Sequence, residues 1–173
     1  MMRRAVIPGI LLLLAISSCA QGDTVAKKKL EDLIPPKPIG WTSDFAGLFT
    51  GAQVAYLDSL LAKHEKETSH EIAIVTLQLD SVYFPSVKEF EKFSLALFTK
   101  WGIGKKDKNN GLAILISPSL RKARIETGYG LEEKLTDQEA RIIMDTIIIP
   151  AFKKGEYFTG LVAALRSIIK EIG

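Results

Sequence analysis

The sequence predicts an α/β domain, a three-layer α/β/α sandwich around a mixed sheet of about four strands that ends in a β-hairpin. Three observations predict it. The runs Glu71-Ile72-Ala73-Ile74-Val75-Thr76-Leu77 and Leu112-Ala113-Ile114-Leu115-Ile116 are short and almost unbroken in apolar character, as strands buried on both faces are. Segments with helical periodicity precede, separate and follow them. The turn signal Pro118-Ser119 then leads into Lys122-Ala123-Arg124-Ile125-Glu126-Thr127, which alternates as a strand with one wet face.

A short strand is expected near Ile39 to Ser43. Thr50 opens the first helix, with Gln53 three residues on as its capping-box partner. Val54, Leu57, Leu61 and His64 then share one face. Ser86 and Glu89 form a second capping box, and Phe90, Phe93, Leu97 and Trp101 follow at helical spacing until Gly102 and Gly104 stop the helix. Thr136 and Glu139 form a third box, opening a helix that carries Ala140, Ile143, Met144 and Ile147 inward and is expected to end at Pro150. A last helix from about Tyr157 to Ile172 turns Leu161, Leu165, Ile168 and Ile172 to the core. Strand-helix-strand units pair in parallel with right-handed crossovers. The tight turn makes the last two strands antiparallel, and helices are expected on both faces of the sheet.

These elements occupy residues 39–173, the size of one domain. Within it Lys plus Arg and Asp plus Glu balance at 17 each, so the +3 of the whole chain comes from the preceding segments. A neutral domain without a basic stripe argues against nucleic acid as a partner.

Residues 1–18 read as an export signal. Arg3 and Arg4 are followed by a charge-free run from Ala5 to Ser18, too short to span a bilayer and ending in small residues. Ile16-Ser17-Ser18-Cys19 resembles the bacterial lipobox. That resemblance implies cleavage before Cys19 and lipid on its sulfur and new amine, the two-signal anchoring that stable membrane attachment requires. Cys19 is the only cysteine, so no internal disulfide is possible. Residues 19–38, with Lys27-Lys28-Lys29 and Pro35-Pro36-Lys37-Pro38, read as an extended tether. The chain is thus expected in the bacterial cell envelope, held to the membrane through Cys19, with its domain outside the cytoplasm.

Two loops carry the polar chemistry, Trp101 to Gly111 and Gly128 to Asp137. One precedes a hairpin strand and the other follows its antiparallel neighbour, so both emerge at one end of the sheet. Asp107, Asn109, Asn110, Glu132, Glu133 and Asp137 gather there. Carboxylates, amide oxygens and turn carbonyls are hard ligands suited to calcium or magnesium. Asn-Asn-Gly is equally a plain turn, and Asp137 stands in a first helical turn where negative charge is favoured anyway.

Trp101-Gly102-Ile103-Gly104, Asn109-Asn110-Gly111, Arg121-Lys122, Arg124-Ile125-Glu126, Gly128-Tyr129-Gly130-Leu131-Glu132 and Leu135-Thr136-Asp137 together resemble the TPM-domain family. Ser43-Asp44, Ala46-Gly47-Leu48, Ile149-Pro150, Phe152, Gly155, Tyr157 and Gly160-Leu161 extend the resemblance over 39–173. It implies a Rossmann-like α/β/α sandwich and a divalent-cation site, calcium before magnesium. On matching positions the ligands would be Asp44, Asn110, Glu132 and Asp137, with Asp107 as helper. It also implies either an accessory or assembly role beside a membrane protein complex or a weak acid phosphatase acting on phosphomonoesters. Many members carry Asp-Asp-Arg where this chain has Ser119-Leu120-Arg121, so chemistry relying on those carboxylates is missing here. Simple winding leaves Asp44 at the opposite sheet end, although the six residues from Asp44 to Thr50 could span about 20 Å if extended.

Other signals fail on their own terms. Gly128-Tyr129-Gly130 lacks the third glycine of a dinucleotide loop, Glu133 standing in its place. Asp107-Lys108-Asn109 would put Pro118 at the twelfth position of an EF-hand. His64 and His70, without a cysteine partner, read as surface groups rather than zinc ligands. No Gly-x-Ser-x-Gly elbow is present for a hydrolase triad.

Overall fold

The computed structural model describes residues 30–173. Cys19, the export signal and the lysine run lie outside them. Four strands form one sheet in the order β1-β2-β3-β4: β1 Thr42–Asp44, β2 Glu71–Thr76, β3 Gly111–Ser117 and β4 Lys122–Thr127. β1, β2 and β3 are parallel, with Asp44 opposite Thr76 and Glu71 opposite Gly111. β3 and β4 are antiparallel, with Leu112 opposite Thr127 and Ser117 opposite Lys122.

Alternation along the strands sorts the core into two layers. Ile72, Ile74, Leu112, Ile114, Ile116 and Ile125 face a layer made of α1 (Gly51–Thr68), α3 (Asp137–Ile143), α4 (Ile149–Lys153) and α5 (Tyr157–Ile172). In α5, Leu161, Leu165, Ile168 and Ile172 lie at spacings of four, three and four and are fully buried. Each such side chain contributes about 1.5–3 kcal/mol of burial. Val75, Leu77 and Leu115 face the other layer, where α2 (Val87–Trp101) packs Phe90, Phe93 and Leu97.

α1 and α2 therefore lie on opposite faces although both crossovers step the same way across parallel strands. The two crossovers must differ in hand, so one departs from the expected right-handed rule. α1 shares its face with α3, α4 and α5, and α2 covers the face they leave open, burying Val75, Leu77 and Leu115.

Two capping boxes form as the spacing predicts. Thr50 and Thr136 accept from the backbone N–H of Gln53 and Glu139, whose side chains return the bond. The third is incomplete. The Ser86 hydroxyl bonds the Glu89 carboxylate and accepts nothing from the helix backbone.

Pro150 does not end its helix. After α3 the chain widens into one π turn, Met144–Ile148, in which the N–H of Ile149 reaches the Met144 carbonyl. α4 then begins, with Pro150 in its first turn. The wider turn accommodates a ring that lacks an N–H and would press on the preceding turn of a regular α-helix.

Packing begins before residue 39, inside the stretch read as a tether. A 3₁₀ turn spans Leu30–Leu33, and Ile34 is buried with Leu30 and Leu33 against the α2 layer. The Trp101 indole donates to the Pro35 carbonyl at 2.9 Å. Among the described residues no helix is long and apolar enough to cross a membrane.

Candidate functional site

The loop before β3 and the loop after β4 meet at one end of the sheet, as the hairpin dictates. Their backbones are joined directly: the N–H of Gly128 donates to the Gly111 carbonyl at 2.8 Å and that of Gly130 to the Asn109 carbonyl at 3.0 Å. A Cβ on Gly130 would stand 2.1 Å from the Lys108 carbonyl oxygen, and one on Gly128 2.3 Å from that of Asn109. Only glycine permits an approach this close.

The joined loops, the edge of β4 and α2 enclose a cleft of about 660 Å³. Glu132 and Asp137 line it, with Asn109, Lys106 and Tyr129. Leu95 and Phe98 of α2 form its apolar wall. Arg124 and Glu126 also line it, but they are bound to each other at 2.6 Å, and Arg124 reaches Glu91 at 2.9 Å as well. Glu132 and Asp137 meet no cation within ion-pair distance among the described residues. Arg124 and Glu126 are not among the expected site residues, because they stand on β4 and not in either loop; the alternation along β4 is the signal that marks them.

Lys105 belongs to the loop, but its ammonium is bound by Glu65 at 2.6 Å and lies 3.7 Å from Glu71. The hydrogen bond from Lys105 is the main cause holding the Glu65 carboxyl below the ordinary glutamate range, and the Trp41 indole adds to it. The same pairing raises the Lys105 ammonium above its ordinary value. This network ties the loop to α1 and β2.

The remaining expected ligands stand elsewhere or are engaged. Asn110 is buried; its side-chain oxygen accepts from the Lys105 N–H at 2.9 Å and its nitrogen donates to the Ser69 carbonyl at 2.8 Å. Asp107 is exposed and does not line the cleft. Asp44 lies at the other end of the sheet, since it pairs with Thr76 while the loops adjoin Gly111, the partner of Glu71. Five residues of strand, about 17 Å, separate the two ends. Its carboxylate accepts from the N–H of Leu48 at 3.0 Å and of Phe49 at 2.9 Å and from the Thr76 hydroxyl. Those bonds shape the turn into α1 instead of letting the segment extend toward the cleft. Among the described residues no three of His, Cys, Asp and Glu stand together as a set able to hold a metal ion.

His64 and His70 also differ from expectation. Their rings lie 5.6 Å apart at the end of α1, and His64 is buried.

No curated protein matches the chain. Three bacterial solution structures share its fold. The N-terminal domain of a protein from P. gingivalis is 30% identical, with 83% of this chain and 90% of that one covered at a TM-score of 0.66. The N-terminal domain of cg2496 from Corynebacterium glutamicum is 13% identical, with 78% and 81% covered at 0.56. BA42 from Bizionia argentinensis is 18% identical, with 74% and 83% covered at 0.51. The model of the TPM domain matches residues 42–171, from the first residue of β1 to the last turn of α5, and the chain therefore belongs to the TPM-domain family.

Proposed function

We propose that the domain is a non-catalytic accessory module of the cell envelope that takes up a divalent cation in the cleft between its two joined loops. The observation that carries this reading is that Glu132 and Asp137 line one cleft without a cationic partner among the described residues, while the neighbouring Glu126 is neutralised by Arg124. Two carboxylates leave most of a coordination sphere to turn carbonyls and water. That suits calcium, which accepts irregular oxygen shells, better than magnesium, which demands a near-ideal octahedron. It also predicts weak binding, about 10⁻⁴–10⁻³ M, as in extracellular calcium modules. Lipid on Cys19 would hold the module at the membrane surface, beside a membrane protein complex.

Calorimetric titration with calcium is expected to give binding in that range, lost in the Glu132→Gln/Asp137→Asn variant. No heat in the parent chain, or equal heat in the variant, would remove the reading. The anchor has its own test: a Cys19→Ser variant is expected to leave the membrane fraction.

Hydrolysis of phosphomonoesters is less well supported. A phosphoryl group needs cations beside the metal-holding carboxylates. Arg124 is committed to Glu91 and Glu126 and Lys105 to Glu65 and Glu71, leaving Lys106 alone among the basic side chains lining the cleft.

A further inference from the structure

We infer that a second cavity, at the opposite end of the sheet, binds a small organic anion, with Arg121 and Lys153 meeting its charged head and the faces of Ile149, Phe152 and Tyr157 its apolar body. The cavity encloses about 480 Å³ between the β3–β4 turn and the α4–α5 connection, within the range of small-molecule sites. It is independent of the cation cleft.

Three features give it this chemistry. The first is charge. Among the described residues Arg121, Lys122 and Lys153 line the cavity and no carboxylate does. The Lys122 ammonium is spent on the other face of the sheet, donating to the Ser86 carbonyl at 2.9 Å and lying 5.9 Å over the Phe90 ring. Arg121 and Lys153 have no hydrogen bond or ion pair through their side chains among the described residues. Two unpaired cations beside an apolar wall attract an oxyanion more strongly than they would in open water.

The second is the wall. Ile116 is buried beneath the cavity, and the Phe152 and Tyr157 rings lie 4.8 Å apart at its side. Such a wall takes up aromatic or aliphatic carbon, which a bare inorganic anion does not offer.

The third is the position of Arg121. It closes the four-residue turn from Pro118 in the left-handed region, at φ 52°, with its N–H on the Pro118 carbonyl. Glycine takes this conformation freely and arginine does not. A cation is held at the lip of the cavity where the backbone alone would favour a residue without a side chain.

The test uses the full chain and four probes followed by calorimetry: phenylacetate, phenyl phosphate, 2-phenylethanol and inorganic phosphate. At least one of the two aromatic anions is expected to bind, about tenfold more tightly than the neutral alcohol or inorganic phosphate, since losing either the charge-assisted bonds or the apolar contact costs about that factor. The bound anion distinguishes a carboxylate from a phosphate ester. The Arg121→Gln/Lys153→Gln variant is expected to lose about tenfold in affinity. Lys153→Gln, at an exposed position on α4 that folding does not use, is expected to lose severalfold. Absence of binding by both aromatic anions, equal binding of 2-phenylethanol, equal binding of inorganic phosphate, or unchanged affinity in Lys153→Gln would each overturn the proposal.

Discussion

The Asn110 side chain donates to the Ser69 carbonyl oxygen at 2.8 Å, and so fastens the start of β3 to the left-handed residue that ends α1. Its oxygen meanwhile accepts from the Lys105 N–H. Asn110 is buried, so its removal strands two backbone groups away from water. Asn110→Ala is expected to cost about 2–3 kcal/mol of stability, read as a lower urea midpoint in calcium-free buffer. A residue whose only task were to hold calcium would leave that midpoint unchanged.

Gly130 and Gly102 are expected to respond differently to alanine. Gly102 stands at φ 62° with nothing within 4 Å of an added Cβ, so Gly102→Ala meets only the left-handed penalty, about 1–2 kcal/mol. At Gly130 the Cβ would meet the Lys108 carbonyl at 2.1 Å. The loops must separate, and Gly130→Ala is expected to cost about 3 kcal/mol or more in unfolding free energy. Equal losses at the two sites would contradict the close approach of the loops.

What was legible in the sequence is what depends on neighbours along the chain. Ile72 to Thr76 and Leu112 to Ile116 read as strands because burial on both faces leaves an apolar run, and Thr50–Gln53 reads as a cap because both partners lie within four residues. The meeting of the two loops followed from one hairpin. The use of Asn110 was not legible, because its partner Ser69 is 41 residues away. The same holds for Lys105, whose ammonium is taken up by Glu65, 40 residues away on α1. The continuation past Pro150 depends on a π turn that no local pattern announces. The packed segment before residue 39 did leave a sign: Leu30, Leu33 and Ile34 have the spacing of one helical face.

Arg121 carries a stability cost that glycine would relieve. Its φ of 52° is unfavourable for a residue with a Cβ. Arg121→Gly is expected to stabilise the chain by about 0.5–1 kcal/mol, the relief of strain exceeding the added freedom of the unfolded chain. Thermal unfolding of the variant would show a higher midpoint. A lower one would mean that the arginine side chain supports the turn.

Stability is expected to fall as pH drops below about 6.5, the ordinary histidine value. Burial depresses His64 below that value, with Glu67 opposing and Lys134 assisting. Burial depresses His70 too, reinforced by Lys134, His64 and Lys108, and the His70 Nδ1 has no hydrogen-bond partner among the described residues. Between the ordinary value and the depressed ones the unfolded chain binds protons that the folded chain refuses, so falling pH lowers the free energy of the unfolded state relative to the folded one. The loss begins near 6.5 and is complete below the folded values. Glu65 acts in a lower window: Lys105 holds its carboxyl below the ordinary range, so that contribution is present above about 4.3 and disappears as pH falls through the folded value. Urea midpoints at pH 7.5, 6.5 and 5.5 separate the two effects. The parent chain should weaken across this range and a His64→Gln/His70→Gln variant should not; parallel slopes in both would show that neither imidazole is kept neutral by the fold.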